Sequence, residues 1–227
     1  SMFPLLLLLC YLMLNKTLNA GWRRTQSITL LGCGILLAIY GVLRTGNRPL
    51  NFGSDSVALT SSFSERVVET FQSLAYYCGL LFVPVNLHME RTLDSATSMT
   101  TLAGVLALSV FALLIVYGFR YNRYRVSLAS GWFLITWFPI SGLFPLNAPM
   151  AEHWMYVPMA GFLWLLMELV ADTAEKIPTR MQSRFQSVVG FVVCAWAVYL
   201  ALASIERNQD WHSNLSIYES TLRENPK

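Results

Sequence analysis

Six stretches of mostly apolar sequence dominate the chain: Phe3–Leu18, Ser27–Leu43, Ser98–Phe119, Val126–Leu143, Trp154–Ala171 and Phe185–Ile205. Each approaches the length of about 20 residues at which an α-helix crosses the hydrocarbon of a bilayer. A seventh stretch, Val67–Leu87, is weaker, because Arg66, Glu69 and Gln72 interrupt its start and Pro84 breaks its end. The composition agrees with membrane residence: 55% of residues are hydrophobic, 13% are charged, and the mean hydropathy is +0.47. The expected fold is an all-α, polytopic helical membrane bundle with about six spans and one interfacial or re-entrant helix. Cys10, Cys33, Cys78 and Cys194 each lie inside apolar runs without paired or metal-type spacing, so they read as core residues and not as disulfides.

Lysine and arginine set the expected orientation, because short cytoplasmic loops carry their excess. Lys16, Arg23 and Arg24 crowd one connector, Arg120, Arg123 and Arg125 a second, and Lys176, Arg180 and Arg184 a third. All three are expected on the cytoplasmic side. The connector from Phe144 to His153 holds no lysine or arginine and is expected outside, as is everything after Arg207. Both ends of Val67–Leu87 then fall outside, so that segment either dips in and returns or lies along the outer interface. Irregular backbone at depth is tolerated only when it is buried in protein or lines a wet cavity. An interfacial helix roofing a cavity is the favoured reading, with an ordinary transmembrane helix as its rival. The formal charge of +3 is small and uneven, which speaks to topology and not to nucleic acid.

The stretch Leu143–Gly161 is unusual for a plain connector. It holds Pro145, Pro149 and Pro158, together with Glu152, His153, Trp154 and Tyr156. The prolines hold the chain in a fixed, non-helical path, and the aromatic residues suit a membrane–water interface. A tight loop with an aromatic anchor explains the same residues without function. Further on, Trp211, Leu215, Tyr218 and Leu222 share one helical face, with Asp210 as expected N-cap and Asn225-Pro226 as stop. One such helix cannot bury its stripe alone, which points to the first helix of a helical-repeat array. The expected domains are a membrane part over 1–207 and the start of a repeat region over 208–227. The chain reads as a fragment of a longer protein, since no charged leader precedes its first apolar run and its last helix has nothing to pack on.

Several motifs together resemble the transmembrane and tetratricopeptide-repeat O-mannosyltransferases and their bacterial relatives, membrane glycosyltransferases of the GT-C type. Asn147, Ala151-Glu152-His153, Tyr156, Pro158 and Gly161-Phe162 follow the order of that family's outer loop. Upstream, Arg44, Arg66, Tyr76-Tyr77, Pro84, Leu87 and Glu90 are similar to the family's order of an Arg after a span, a long polar loop, a second Arg, an aromatic-rich apolar stretch and Pro-x-x-Leu followed by an acid; downstream, Arg207, Trp211, Leu222 and Asn225-Pro226 are similar to its junction into the repeats. Two features depart from the family. His153 stands where arginine is usual, exchanging a permanent cation for a titratable one. The family's catalytic Asp lies on a first outer loop that this chain does not contain, so no catalytic residue is assigned.

What the resemblance implies is transfer of a sugar, mannose by analogy, from a polyprenyl-phosphate donor to a protein hydroxyl on the outer or lumenal face. Such a reaction needs a carboxylate base and fixed positive charge for the leaving lipid phosphate. Arg66, Arg44, Arg91 and His153 are the expected donor-phosphate residues, Arg66 first; pairing of Arg66 with Glu65 or Glu69, or snorkelling, is its structural alternative. Glu90, Glu152, His88 and Tyr156 are expected in supporting polar roles, with capping or loop closure as the alternative for the acids. No metal or other cofactor is expected, although His88 with Glu90 and Glu152 with His153 contain donors for a divalent cation. Expected partners are a lipid-linked sugar donor, a protein acceptor reached through the repeats, and membrane lipids, in a bacterial inner membrane or the endoplasmic reticulum. Two rivals stand: an O-antigen ligase- or polymerase-like enzyme, and a non-catalytic membrane anchor that presents repeats to partner proteins.

Overall fold

The computed structural model describes residues 3–14, 28–29, 31–36, 38–39, 42, 62–85, 93, 97–143, 150–210, 212–213 and 216. The fold is all-helical, and the described residues contain no strand. In chain order the helices are α1 (Phe3–Leu14), α2 (Phe63–Phe82), α3 (Ser98–Arg120), α4 (Tyr124–Trp137), α5 (Tyr156–Lys176) and α6 (Thr179–Asp210). Short 3-10 turns cover Phe138–Ile140 and Glu152–Met155.

Six spans are not what the structure supports. Three helical stretches are long and apolar enough to cross a membrane: Ser98–Arg120, Glu152–Lys176 and Thr179–Gln209. The Val126–Leu143 expectation fails for a local reason. Pro139 has no N–H and its ring crowds the carbonyl four residues back, so the α-helix stops at Trp137 and a 3-10 turn follows. What remains, α4, is a 14-residue helix that carries buried Ser127, Ser130 and Thr136 and packs inside the bundle. The first span is described only as the 12-residue α1, whose Leu9 side chain rests on Gly131 of α4. Ser27–Leu43 is described at scattered positions only.

Caps mark where α2 and α3 begin. Ser62 and Glu65 form a reciprocal pair: the Ser62 hydroxyl accepts from the Glu65 N–H (3.3 Å), and the Glu65 carboxylate accepts from the Ser62 N–H (2.6 Å). Thr97 and Thr100 repeat the arrangement ahead of α3. Thus α2 begins at Phe63, with Arg66 and Glu69 inside it, and it ends at Phe82, two residues before Pro84.

The contacts of α2 give its course. Gln72 donates to Thr101 in the first turn of α3 (3.0 Å), Ser73 donates to the carbonyl of Ser141 just beyond α4 (3.1 Å), and Tyr77 meets Ala151 just before α5. Phe82 lies deeper, edge-on to Phe162 in the second turn of α5, at a centroid distance of 5.1 Å. So α2 runs inward from the end where α3 and α5 begin, and its Leu74, Tyr77 and Leu81 are buried in the bundle core. Among the described residues it is not one of the helices long and apolar enough to cross a membrane.

Aromatic rings set the core at that depth. Phe111 and Phe133 stack at 4.3 Å, and Phe162 lies 6.4 Å from Phe133. Helices α3, α4 and α5 run antiparallel in sequence. Gly118 sits against Ser127 and Gly161 against Trp132 and Phe133, close approaches that leave no space for a side chain. Between α3 and α4 the chain turns through Asn122, whose φ of 57° is left-handed, a conformation asparagine tolerates.

Candidate functional site

The end of the bundle that lacks basic residues in its connector carries a cavity of about 700 Å³ between α2, α5 and α6. Its rim is polar, formed by Glu152, His153, Tyr156, Ser204, Arg207 and Asn208. Its walls are apolar, formed by Leu80, Leu81, Met159, Phe162, Leu163, Trp196 and Leu200.

Each wall has a local cause. Glu152–Met155 winds as a 3-10 turn that runs directly into α5 and places Glu152 and His153 at the mouth. His153 is exposed and lies edge-on to the Trp154 ring at 5.8 Å. Below the rim, the Trp196 indole on α6 donates to the carbonyl of Phe82 at the end of α2 (3.2 Å), spanning the cavity floor. The 32 residues of α6 amount to about 48 Å at 1.5 Å per residue, longer than a bilayer core. Its end therefore brings Arg207 and Asn208 up to the level of Glu152.

Behind the rim stands Tyr77, with 0% exposure. Its hydroxyl donates to the carbonyl of Ala151 (3.1 Å) and accepts from the N–H of the same residue (3.3 Å). Burial pushes its phenol above the usual tyrosine range, and the neighbouring Glu152 carboxylate adds to the shift, so the hydroxyl remains a protonated donor.

The structure brings together three of the residues expected from sequence: Glu152, His153 and Tyr156. Arg66 does not line this cavity. It sits in the first turn of α2, partly buried, with its Nε shielded from solvent and without a hydrogen-bond partner among the described residues. Arg44, Arg91, His88 and Glu90 lie outside the described residues. Among the described residues no three His, Cys, Asp or Glu side chains converge as metal ligands, and the other half of the cation alternative, His88 with Glu90, is not described. Sequence reasoning missed Arg207, Asn208, Trp196 and Tyr77 as site residues. The readable signal for Arg207 was an arginine at the end of a long apolar span, on the same side as the Phe144–His153 connector that holds no lysine or arginine.

At the opposite end, Arg123 pairs with Asp172 (2.9 Å) and Glu175 (2.6 Å), and Lys176 pairs with Asp172 (2.8 Å). Tyr117 donates to the same Asp172 carboxylate. Asp172 is a buried hub that fastens the α3–α4 turn to α5. Glu168 accepts from the Trp164 indole one turn away (3.0 Å). These bonds hold two of the basic connectors at one end of the bundle.

Asp210, the expected N-cap, is the last residue of α6, and Ser213 and Ser216 exchange hydroxyl-to-backbone bonds of 3.0 and 3.1 Å. Trp211, Leu215, Tyr218, Leu222 and Asn225-Pro226 of the expected repeat helix lie outside the described residues.

Compared with curated proteins, the chain is similar to a protein O-mannosyl-transferase of Caenorhabditis elegans: 27% identity over 169 residues, which are 72% of this chain and 23% of that protein. The chain thus spans about a quarter of the length of the relative it matches. No protein-family model matches, and no solved structure matches.

Proposed function

We propose that this chain forms part of a membrane glycosyltransferase that moves a sugar, mannose by the relative's name, from a polyprenyl-phosphate donor to a protein hydroxyl. The observation that carries the reading is the amphipathic cavity between α2, α5 and α6. Its apolar walls suit the hydrocarbon of a lipid carrier. Arg207 and His153 at the rim supply positive charge for a phosphate, and Glu152 and Tyr156 supply hydrogen-bonding groups for sugar hydroxyls. Arg66, at the outer end of α2, is a further cation on the path of a phosphate toward the cavity. The 27% identity to a protein O-mannosyl-transferase supports the same class. In this reading the residues after α6 open an acceptor-selecting repeat region.

The test uses the full-length protein that contains this chain, purified in detergent, and a polyprenyl-phosphate mannose as the probe. Binding should weaken about 10- to 150-fold in Arg207→Ala, the loss of a hydrogen bond to a charged group of about 1.5–3 kcal/mol. Equal binding by the parent and by Arg207→Ala, or no binding by the parent, defeats the reading.

A further inference from the structure

Two side chains of α2, one helical turn apart, hold the two ends of the connection that leads into the cavity rim. Ser73 donates to the carbonyl of Ser141, where the connection leaves α4, and Tyr77 holds Ala151, where it arrives at α5. The second contact is the more demanding. Ala151 is extended, with φ −140° and ψ 135°, and it is the last residue before the 3-10 turn that begins at Glu152. Its N–H and its C=O both meet the one hydroxyl, at 3.3 and 3.1 Å. The same carbonyl accepts from the Trp154 N–H that closes the turn, at 3.3 Å. Direction is therefore fixed at the residue from which Glu152 and His153 project.

A phenylalanine ring would fill the same buried volume. It would leave both groups of Ala151 without that partner, and an unmet buried amide is costly. Among the described residues the hydroxyl makes no other hydrogen bond, and the ring that bears it also lines the cavity. Tyr77 thus does two things from one position: it closes the cavity's inner wall and sets the bearing of its rim.

We propose that Tyr77 is a positioning residue for Glu152, acting through the peptide of Ala151. Its place in the reaction rests on the glycosyltransferase reading, whereas the clamp itself does not. Helix α2 is the template on which the rim is assembled, and the Tyr77 hydroxyl is the point of attachment.

The test uses the full-length protein and three variants: Tyr77→Phe, Glu152→Gln and the two combined. Hydrogen exchange of the segment 150–156 reads the clamp directly. In Tyr77→Phe that segment should exchange about tenfold faster, the factor that corresponds to one ordinary hydrogen bond, while the interiors of α3 and α5 keep the parent's protection. Donor binding and turnover with a polyprenyl-phosphate mannose read the role. Tyr77→Phe should lower turnover more than it raises KM, and the double variant should be no worse than Glu152→Gln alone. A role in packing alone would give additive losses. Unchanged exchange over 150–156, or additive losses, overturns the proposal. If the parent neither binds nor uses the donor, the glycosyltransferase reading falls, and the exchange result still decides the clamp. Should Tyr77→Phe fail to fold, 4-aminophenylalanine at position 77 restores a donor to the Ala151 carbonyl. Recovery of folding and of parent-like exchange then supports the clamp, and no recovery overturns it.

Discussion

Gly161 is where the packing behind the site is most sensitive to a single methyl group. A Cβ added there would lie 2.6 Å from Cδ1 of Trp132 and 2.8 Å from the backbone nitrogen of Phe133. Carbon atoms pack best at about 3.5–4.0 Å, so α4 and α5 would have to part by about 1 Å. The Trp132 ring cannot simply turn away, because its indole donates to the carbonyl of Val157 on α5 (3.1 Å). Overpacking of this kind costs about 1–3 kcal/mol. For a chain of this size each kcal/mol lowers the melting temperature by about 2–4 °C, so Gly161→Ala should melt about 2–12 °C below the parent. Gly190 on α6 provides the control, since a Cβ there meets nothing within 4 Å. Alanine is the better helix former by about 1 kcal/mol, and Gly190→Ala should hold or raise the melting temperature. The assay is thermal unfolding of the purified protein in one detergent, followed by intrinsic tryptophan fluorescence. Gly161→Ala melting at or above the parent would refute the close α4–α5 approach from which the position of the rim is argued.

Gly104→Ala should be more damaging than Gly161→Ala in the same melt, because the added carbon would run into the backbone carbonyl of Phe71 and force α2 away from α3. Asp172→Asn should lower the melting temperature at low salt and flatten its salt dependence, because the ion pairs to Arg123 and Lys176 are lost together; a variant with the parent's salt dependence would show that these pairs contribute nothing.

Legibility followed the range of the interactions. Ser98–Phe119 was readable to within one residue of α3, since hydropathy is a local signal. Arg66, Glu69 and Gln72, which interrupt Val67–Leu87, are also what leaves α2 outside the helices apolar enough to cross a membrane. Its start was misplaced by four residues because the Ser62–Glu65 cap lies in polar sequence that hydropathy ignores. Val126–Leu143 misled because apolar content does not report what Pro139 does to helix geometry. Ile205 marked the end of apolar sequence but not of the helix, and this hid Arg207 and Asn208 from the expected site. At the site, Glu152, His153 and Tyr156 were visible as an odd cluster in one loop. The contact of Tyr77 with Ala151 joins residues 74 apart, and the ion pairs of Asp172 join α5 to a turn nearly 50 residues earlier. No periodicity or spacing encodes such pairs.

The central claim is that the cavity between α2, α5 and α6 receives a lipid-linked sugar. The most direct measurement is photocrosslinking of the full-length protein in membranes with a polyprenyl-phosphate mannose carrying a diazirine on its first isoprene unit, followed by peptide mapping. The account predicts label on the cavity walls, within Met159–Leu163 of α5 and Trp196–Leu200 of α6, displaced by excess unlabelled donor. Label confined to the outward faces of α3 and α6, or label that excess donor does not displace, would contradict it.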